Sequence, residues 1–173
     1  MAIPEPGLER WLTVTMKIST KGDYATRALL ALALRDGPAS VRDIAKSTGL
    51  PQAYLEQIML VMKAAGLVEA KRGVQGGYSL ARPANEISLK EIVEAAEGSV
   101  APLGCAAIEP DTSCIEEGEC ALQLVWIKVR GAVSDILDSV SLEDVAEDTR
   151  RIKAARRRSK SPLALSRISR SAV

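Results

Sequence analysis

SVRDIAKSTGLPQAYLEQIMLVMKAAG, residues Ser40–Gly66, is the stretch that decides the fold. Ser40 followed three residues on by Asp43 is an N-cap with an acid placed to bond back to it. Val41, Ile44 and Ala45 form one apolar face, and Gly49 ends the helix. Pro51 stands near the start of a second helix, which Gly66 closes. Within it Leu55, Ile58, Met59 and Met62 recur at helical spacing, which makes them core residues. Two helices joined by the tight Ser47–Leu50 turn form a helix-turn-helix, and its second helix, residues 51–65, is the expected recognition helix.

Working outward, MKISTKGDYATRALLALAL (Met16–Leu34) supplies the supporting helix. Ser19 and Thr20 are its cap candidates, Tyr24, Ala28, Leu29, Leu32 and Ala33 keep its period, and Asp36-Gly37-Pro38 ends it. On the other side, LVEAKR (Leu67–Arg72) and GYSLAR (Gly77–Arg82) are short strand candidates separated by GVQG, hence a β-hairpin. A helix-turn-helix followed by a hairpin is a winged helix. Lys71, Arg72 and Arg82 place cations on that wing, and Gly73, Gly76 and Gly77 let its backbone approach a phosphate or a minor groove. Ser88 and Glu91 form a second capping box, opening a helix packed through Leu89, Ile92, Val93 and Ala96 and stopped by Gly98.

Three cysteines are all the chain has, and all fall in CAAIEPDTSCIEEGEC, spaced Cys105-x8-Cys114-x5-Cys120. Pro110, Asp111, Thr112, Ser113 and Gly118 are turn formers, so the stretch can fold back and gather the sulfurs. Three thiolates with a fourth ligand hold an iron–sulfur cluster or a zinc ion. A bare thiol switch is the other reading, and the neighbouring acids disfavour the low thiolate pKa it needs. With no secretory segment at the start and no run approaching a membrane span, the chain reads as cytoplasmic and without membrane attachment. There an odd set of clustered cysteines favours metal or redox chemistry over a structural disulfide.

From Ala121 a long helix begins, with Leu122, Val125, Trp126, Val129, Val133, Ile136, Leu137 and Val140 on one stripe. A core helix would carry the same stripe, but so little chain remains to cover it that it is read as a dimer seam. Ser141 opens a short final helix. The net charge of +1 hides strong segregation. Residues 16–85 hold ten Lys and Arg against five Asp and Glu, residues 86–149 three against fifteen, and residues 150–173 nine against none. A basic first module followed by an acidic second one suggests that the first meets a polyanion. The basic, Ser-rich end is expected to be a disordered tail, compatible with nonspecific attraction to DNA.

The order of motifs resembles the IscR/NsrR (Rrf-two) family of bacterial transcription regulators: MKIS-x-KGDYA, YLEQI, RG-x-x-GGY and a downstream three-cysteine loop. The resemblance runs from Met16 to about Ala146. It implies a homodimeric winged-helix repressor acting on a two-fold operator in double-stranded DNA, with an iron–sulfur cluster, 2Fe–2S or 4Fe–4S, that senses nitric oxide, redox state or iron. Carried over by motif, Cys105, Cys114 and Cys120 are the cluster ligands. Tyr54, Glu56 and Gln57 face the major groove, and Arg72 reaches the minor groove. Family members commonly have a shorter gap between the first two cysteines, which leaves the cluster type open. The family's histidine ligand, just after the third cysteine, has its counterpart at Gln123. The chain contains no histidine, so that ligand set is excluded. Asp23, in KGDYA, matches an aspartate that ligates the cluster across the dimer in some members; its ordinary alternative is a first-turn acid stabilised by the helix dipole. Glu116, Glu117 and Glu119 are further acids in the loop.

The expected fold class is therefore mainly α with a small β-hairpin wing: a winged helix-turn-helix DNA-binding domain plus a long dimerisation helix. Residues 1–15 are an extension, and Met16 is an alternative natural start. Residues 16–98 form the DNA-binding domain, 99–120 the cysteine loop, 121–148 the dimerisation helix with the short terminal helix, and 149–173 the tail. For base reading, Gln57 suits paired hydrogen bonds to adenine and Glu56 can accept from cytosine N4, with Gln52 a further polar candidate. Tyr54 also suits a core position or a phosphate contact. Lys71 and Arg72 are wing contacts to phosphate or minor groove. An enzyme is disfavoured, since the chain has no histidine, no Cys-x-x-Cys and no phosphate loop. A zinc- or thiol-switch winged-helix regulator is the nearer alternative.

Overall fold

A computed structural model describes residues 19–73, 76–107 and 120–159. Its elements, in chain order, are α1 (Thr20–Ala33), α2 (Val41–Thr48), α3 (Gln52–Ala64), β1 (Val68–Lys71), β2 (Gly77–Leu80), α4 (Leu89–Glu97), α5 (Ala121–Asp138) and α6 (Leu142–Ser159). The strands form an antiparallel hairpin with Val68 opposite Leu80 and Lys71 opposite Gly77. This is a mainly helical winged helix-turn-helix.

Local chemistry sets the element ends. Ser19 Oγ caps α1 by accepting from Lys21 N–H, and capping boxes open α2 through Ser40 and Asp43 and α4 through Ser88 and Glu91. Gly49 stops α2 at φ +74°, a conformation that only glycine adopts without strain. The wing is not a free ribbon. Ala39 N–H donates to Tyr78 O at 2.9 Å and Tyr78 N–H to Ala39 O at 2.8 Å, which stitches the wing to the residue before the Ser40 cap. Gly77 lies against that crossing, where a β-carbon would come within 2.6 Å of the Ala39 carbonyl.

The core lies where α1, α2, α3, α4 and the start of α6 meet. Leu29, Ile44, Leu55, Ile58, Met59, Met62, Ile87, Ile92 and Leu142 are its fully buried large side chains. At about 1.5–3 kcal/mol for each such side chain, these residues hold the reader together. Leu142 N–H donates to Ile87 O at 2.8 Å and Leu89 N–H to Val140 O at 2.9 Å, so the α5–α6 corner is sewn to the start of α4.

α5 is different, since none of its residues is buried. Leu122 is 63 % exposed, Leu124 65 % and Ile136 65 %, with Val125 and Ile127 also open. The expected stripe is only partly the exposed one: Trp126, Val129, Val133, Leu137 and Val140 are half-buried, and Leu124 and Ile127 widen the open face.

α6 corrects two expectations, the short terminal helix and a tail beginning at residue 149. It is one helix of 18 residues ending at Ser159. Ser141 and Asp144 cap its start, acids fill its first turn and Arg156, Arg157 and Arg158 its last, matching the helix dipole. Arg151 bridges back to Glu147 and Asp148, and no glycine or proline interrupts the run before Pro162.

Candidate functional site

α3 turns Leu55, Ile58, Met59 and Met62 into the core and leaves Gln52, Ala53, Glu56, Gln57 and Leu60 exposed. Gln52 Nε2 donates to Glu56 Oε1 at 3.0 Å, one helical turn on, so two of the expected base readers hold each other in place. Gln57 is exposed, with no side-chain partner among the described residues, and offers both its donor and its acceptor. Tyr54 is placed otherwise than the other three. Its half-buried ring meets Tyr24 edge-on, with centroids 5.7 Å apart at 78°, and so belongs to the α1–α3 packing.

On the wing, Lys71 Nζ pairs with Glu69 at 3.4 Å, whereas Arg72 is exposed with no acidic partner among the described residues. Arg82 is used structurally. Its guanidinium ion-pairs with Glu91 of α4, which ties the base of the wing to the helix behind it and withdraws Arg82 from the wing's cationic edge. Burial works to raise the pKa of Glu91. The Ser88 backbone N–H and the Arg82 guanidinium outweigh it and hold the carboxyl below its ordinary range. Asp43 is held low by the Ser40 hydroxyl and backbone N–H, and Asp144 by the same two groups of Ser141.

Two cysteines lie within the described residues. Cys105 sits in a short 3-10 turn, Gly104–Ala106, and Cys120 occupies the N-cap position of α5; both are free thiols and half-buried. Gln123 joins them. Its backbone N–H donates to Cys120 O at 3.1 Å and its Nε2 to Cys105 O at 2.9 Å. Arg130, two turns further on, donates to Ala106 O at 2.7 Å and clamps the same turn to α5. Cys114 and the loop acids Glu116, Glu117 and Glu119 lie outside the described residues.

Asp23 lies in the first turn of α1, where Arg27 Nε donates to both its carboxylate oxygens at 3.0 and 2.9 Å; its side chain is 46 % exposed. Among the described residues no three Cys, Asp or Glu side chains come close enough to hold one metal ion, so Asp23 does not join Cys105 and Cys120 within a chain. A residue that the sequence pattern did not single out works beside it. Glu97, the last residue of α4, accepts through Oε1 from Ser19 N–H at 2.7 Å and Gly22 N–H at 3.0 Å. The helix leading into the cysteine segment thus caps the helix that carries Asp23.

The thiol donors suit a soft metal centre: two free, half-buried cysteines anchored through Gln123, a third cysteine between them in sequence, and no histidine to compete. Among the described residues no helix is long and apolar enough to cross a membrane.

Comparison with known proteins agrees with the winged-helix fold. Residues 18–148 match the model of the Rrf2 family, described as an iron-dependent transcriptional regulator. The HTH-type transcriptional regulator CymR of Bacillus subtilis is 38% identical over 136 residues, 78% of this chain and 92% of its own length. The HTH-type transcriptional regulator IscR of Pectobacterium atrosepticum is 31% identical over 144 residues, 82% of this chain and 86% of its own. Among solved structures, CymR, the global cysteine regulator of B. subtilis, superposes with a TM-score of 0.63 at 36% identity over 77% of this chain and 98% of that one. IscR of T. potens gives 0.61 at 36% identity, covering 77% and 88%.

Proposed function

Taking as premise that the chain belongs to the Rrf2 family of transcriptional regulators, we propose that it is a homodimeric repressor whose affinity for a two-fold operator is set by an iron–sulfur cluster. Gln52, Glu56 and Gln57 of α3 read bases in the major groove, and Lys71 and Arg72 carry the wing to the phosphates and the minor groove. The open apolar face of α5 supports pairing with a second copy, because a patch of that size on a single helix is unusual for a monomer.

The observation that carries the cluster reading is the double anchorage by Gln123, which ties the backbone at Cys105 and at Cys120 to the first turn of α5. Cys105, Cys114 and Cys120 are the ligands in this reading, and Asp23 of the partner subunit is the fourth. When bound, the cluster would supply a centre open to attack by nitric oxide or oxidants, and iron scarcity would leave its site unfilled. The chain's own part is transmission. Glu97 ties the end of α4 to the start of α1, so a shift in the segment after α4 is passed to the helix that packs on α3.

A thiol-switch regulator without a cluster is the second reading, favoured by the CymR relatives and by two free, half-buried thiols. Anaerobic purification followed by visible absorption and assay of iron and sulfide separates the two. A coloured protein with stoichiometric iron and sulfide, lost on Cys105→Ala, is expected. A colourless, iron-free protein after reconstitution sinks the cluster.

A further inference from the structure

The family match ends at residue 148, but α6 runs on to Ser159. The added turns carry Arg150, Arg151, Lys153, Arg156, Arg157 and Arg158, all exposed. Acids neutralise the first two: Arg150 pairs with Glu143 at 2.7 Å, and Arg151 with Glu147 at 3.0 Å and Asp148 at 3.3 Å. Lys153, Arg156, Arg157 and Arg158 have no acidic partner among the described residues.

The helix is not swinging free of the reader. Arg150 donates to Ala33 O at 3.2 Å, at the end of α1. Lys153 faces a cleft of about 390 Å³ that Arg27 of α1, Arg35 just beyond its end, and Ser47 and Thr48 of α2 also line, with no acidic residue among its described walls. Thr48 leads through Gly49 and Leu50 directly into α3. On a helix, Lys153, Arg156 and Arg157 continue the stripe that Arg150 begins, so the unpaired cations start at the cleft beside α2 and run on from it along α6.

Although the module as a whole is basic, the base-reading positions of α3 carry no positive charge of their own. Gln52, Glu56 and Gln57 are a net negative set, Lys63 is exposed only in the last turn of α3, and on the wing Arg72 is the one described cation without an acid. Base-reading contacts do not by themselves hold a protein on DNA; neutralised phosphates do.

We propose that the end of α6, Lys153–Arg158, is a phosphate-binding arm that grips duplex DNA beside the helix-turn-helix and adds affinity independent of sequence. The inference rests on the reading of the chain as a DNA-binding regulator. Guanidinium forks suit phosphate oxygens in pairs, and the lysine supplies a point charge where the arm leaves the protein body. All four side chains are exposed, so their replacement leaves the core intact.

The test uses the full chain and a mixed-sequence DNA duplex, with affinity followed by fluorescence anisotropy between about 50 and 200 mM salt. For the variant carrying K153A, R156A, R157A and R158A together, affinity at the low-salt end should fall about tenfold or more. Its log–log salt slope should become shallower by roughly 2–4, at about 0.9 for each phosphate released. The variant carrying R156K, R157K and R158K should keep the slope, since charge rather than shape sets it. A wild-type slope in the alanine variant, while the unaltered chain binds the duplex, overturns the arm. A wild-type slope combined with lost binding to phosphatidylglycerol vesicles assigns these cations to a lipid surface and overturns it too. Failure of the unaltered chain to bind any duplex removes the DNA-reading premise along with the arm.

Discussion

Glu97 stands 78 residues from Ser19 in the chain, yet its carboxylate holds two of the four backbone N–H groups that α1 leaves open at its start. Glu97→Ala should cost about 1–2 kcal/mol and lower the thermal midpoint by several degrees; an unmoved midpoint would mean that the cap is idle. No local pattern marks such a partner, which explains why the sequence picks out Asp23 and passes over Glu97. Base reading is legible where helical spacing alone decides it: Gln57 and Glu56 fall on the open side of α3 because Leu55, Ile58 and Met59 must fall on the other. Tyr54 escapes that rule because an aromatic ring at the boundary can turn either way, and only the position of Tyr24 fixes it. Gln57→Ala should relax discrimination at one adenine by about 1–3 kcal/mol while leaving the salt slope unchanged, whereas Arg72→Ala should lower the slope by about 1 and leave base preference alone. Competition titrations across single-base operator variants measure both.

Among the elements, the capped ones are those that sequence reading finds most cleanly. Ser40 with Asp43 and Ser88 with Glu91 announce α2 and α4, and the structure starts both helices one residue later. The same boxes set an acid limit on stability. Asp43, Glu91 and Asp144 have folded pKa values below their ordinary ones, so their contribution is complete above the ordinary values and is lost as the pH falls through the folded ones. The thermal midpoint should therefore be flat above about pH 5 and drop below about pH 4, with Ser40→Ala reducing the drop; a midpoint independent of acid would contradict the assignment. α6 was harder to bound. Its arginine run has the composition of a solvated tail, and its continuation depends on charge pairing one turn back and on Arg150 reaching Ala33, contacts that composition does not encode.

At the scale of the molecule, α5 leaves the packed reader and exposes Leu122, Leu124, Val125, Ile127 and Ile136 to whatever completes it. Introducing a charge with Ile136→Glu should convert a dimer to a monomer in sedimentation while leaving the reader folded; an unchanged sedimentation coefficient would move the dimer seam elsewhere. The winged helix was readable in outline because each of its elements carries its own start and stop. The proposed sensor was less so, since Asp23, its proposed fourth ligand, stands far in the chain from the cysteine stretch and would come from the partner subunit. That account makes the state of the cysteine site govern DNA affinity, and one comparison addresses it directly. Operator duplex recovered by selection from a random pool is titrated anaerobically with the iron-loaded protein, before and after the iron is removed by nitric oxide or chelation. A change of about 5- to 150-fold in affinity is expected, the range of an ordinary allosteric coupling. Superimposable isotherms, from a protein that measurably carried and then lost its iron, would contradict the account.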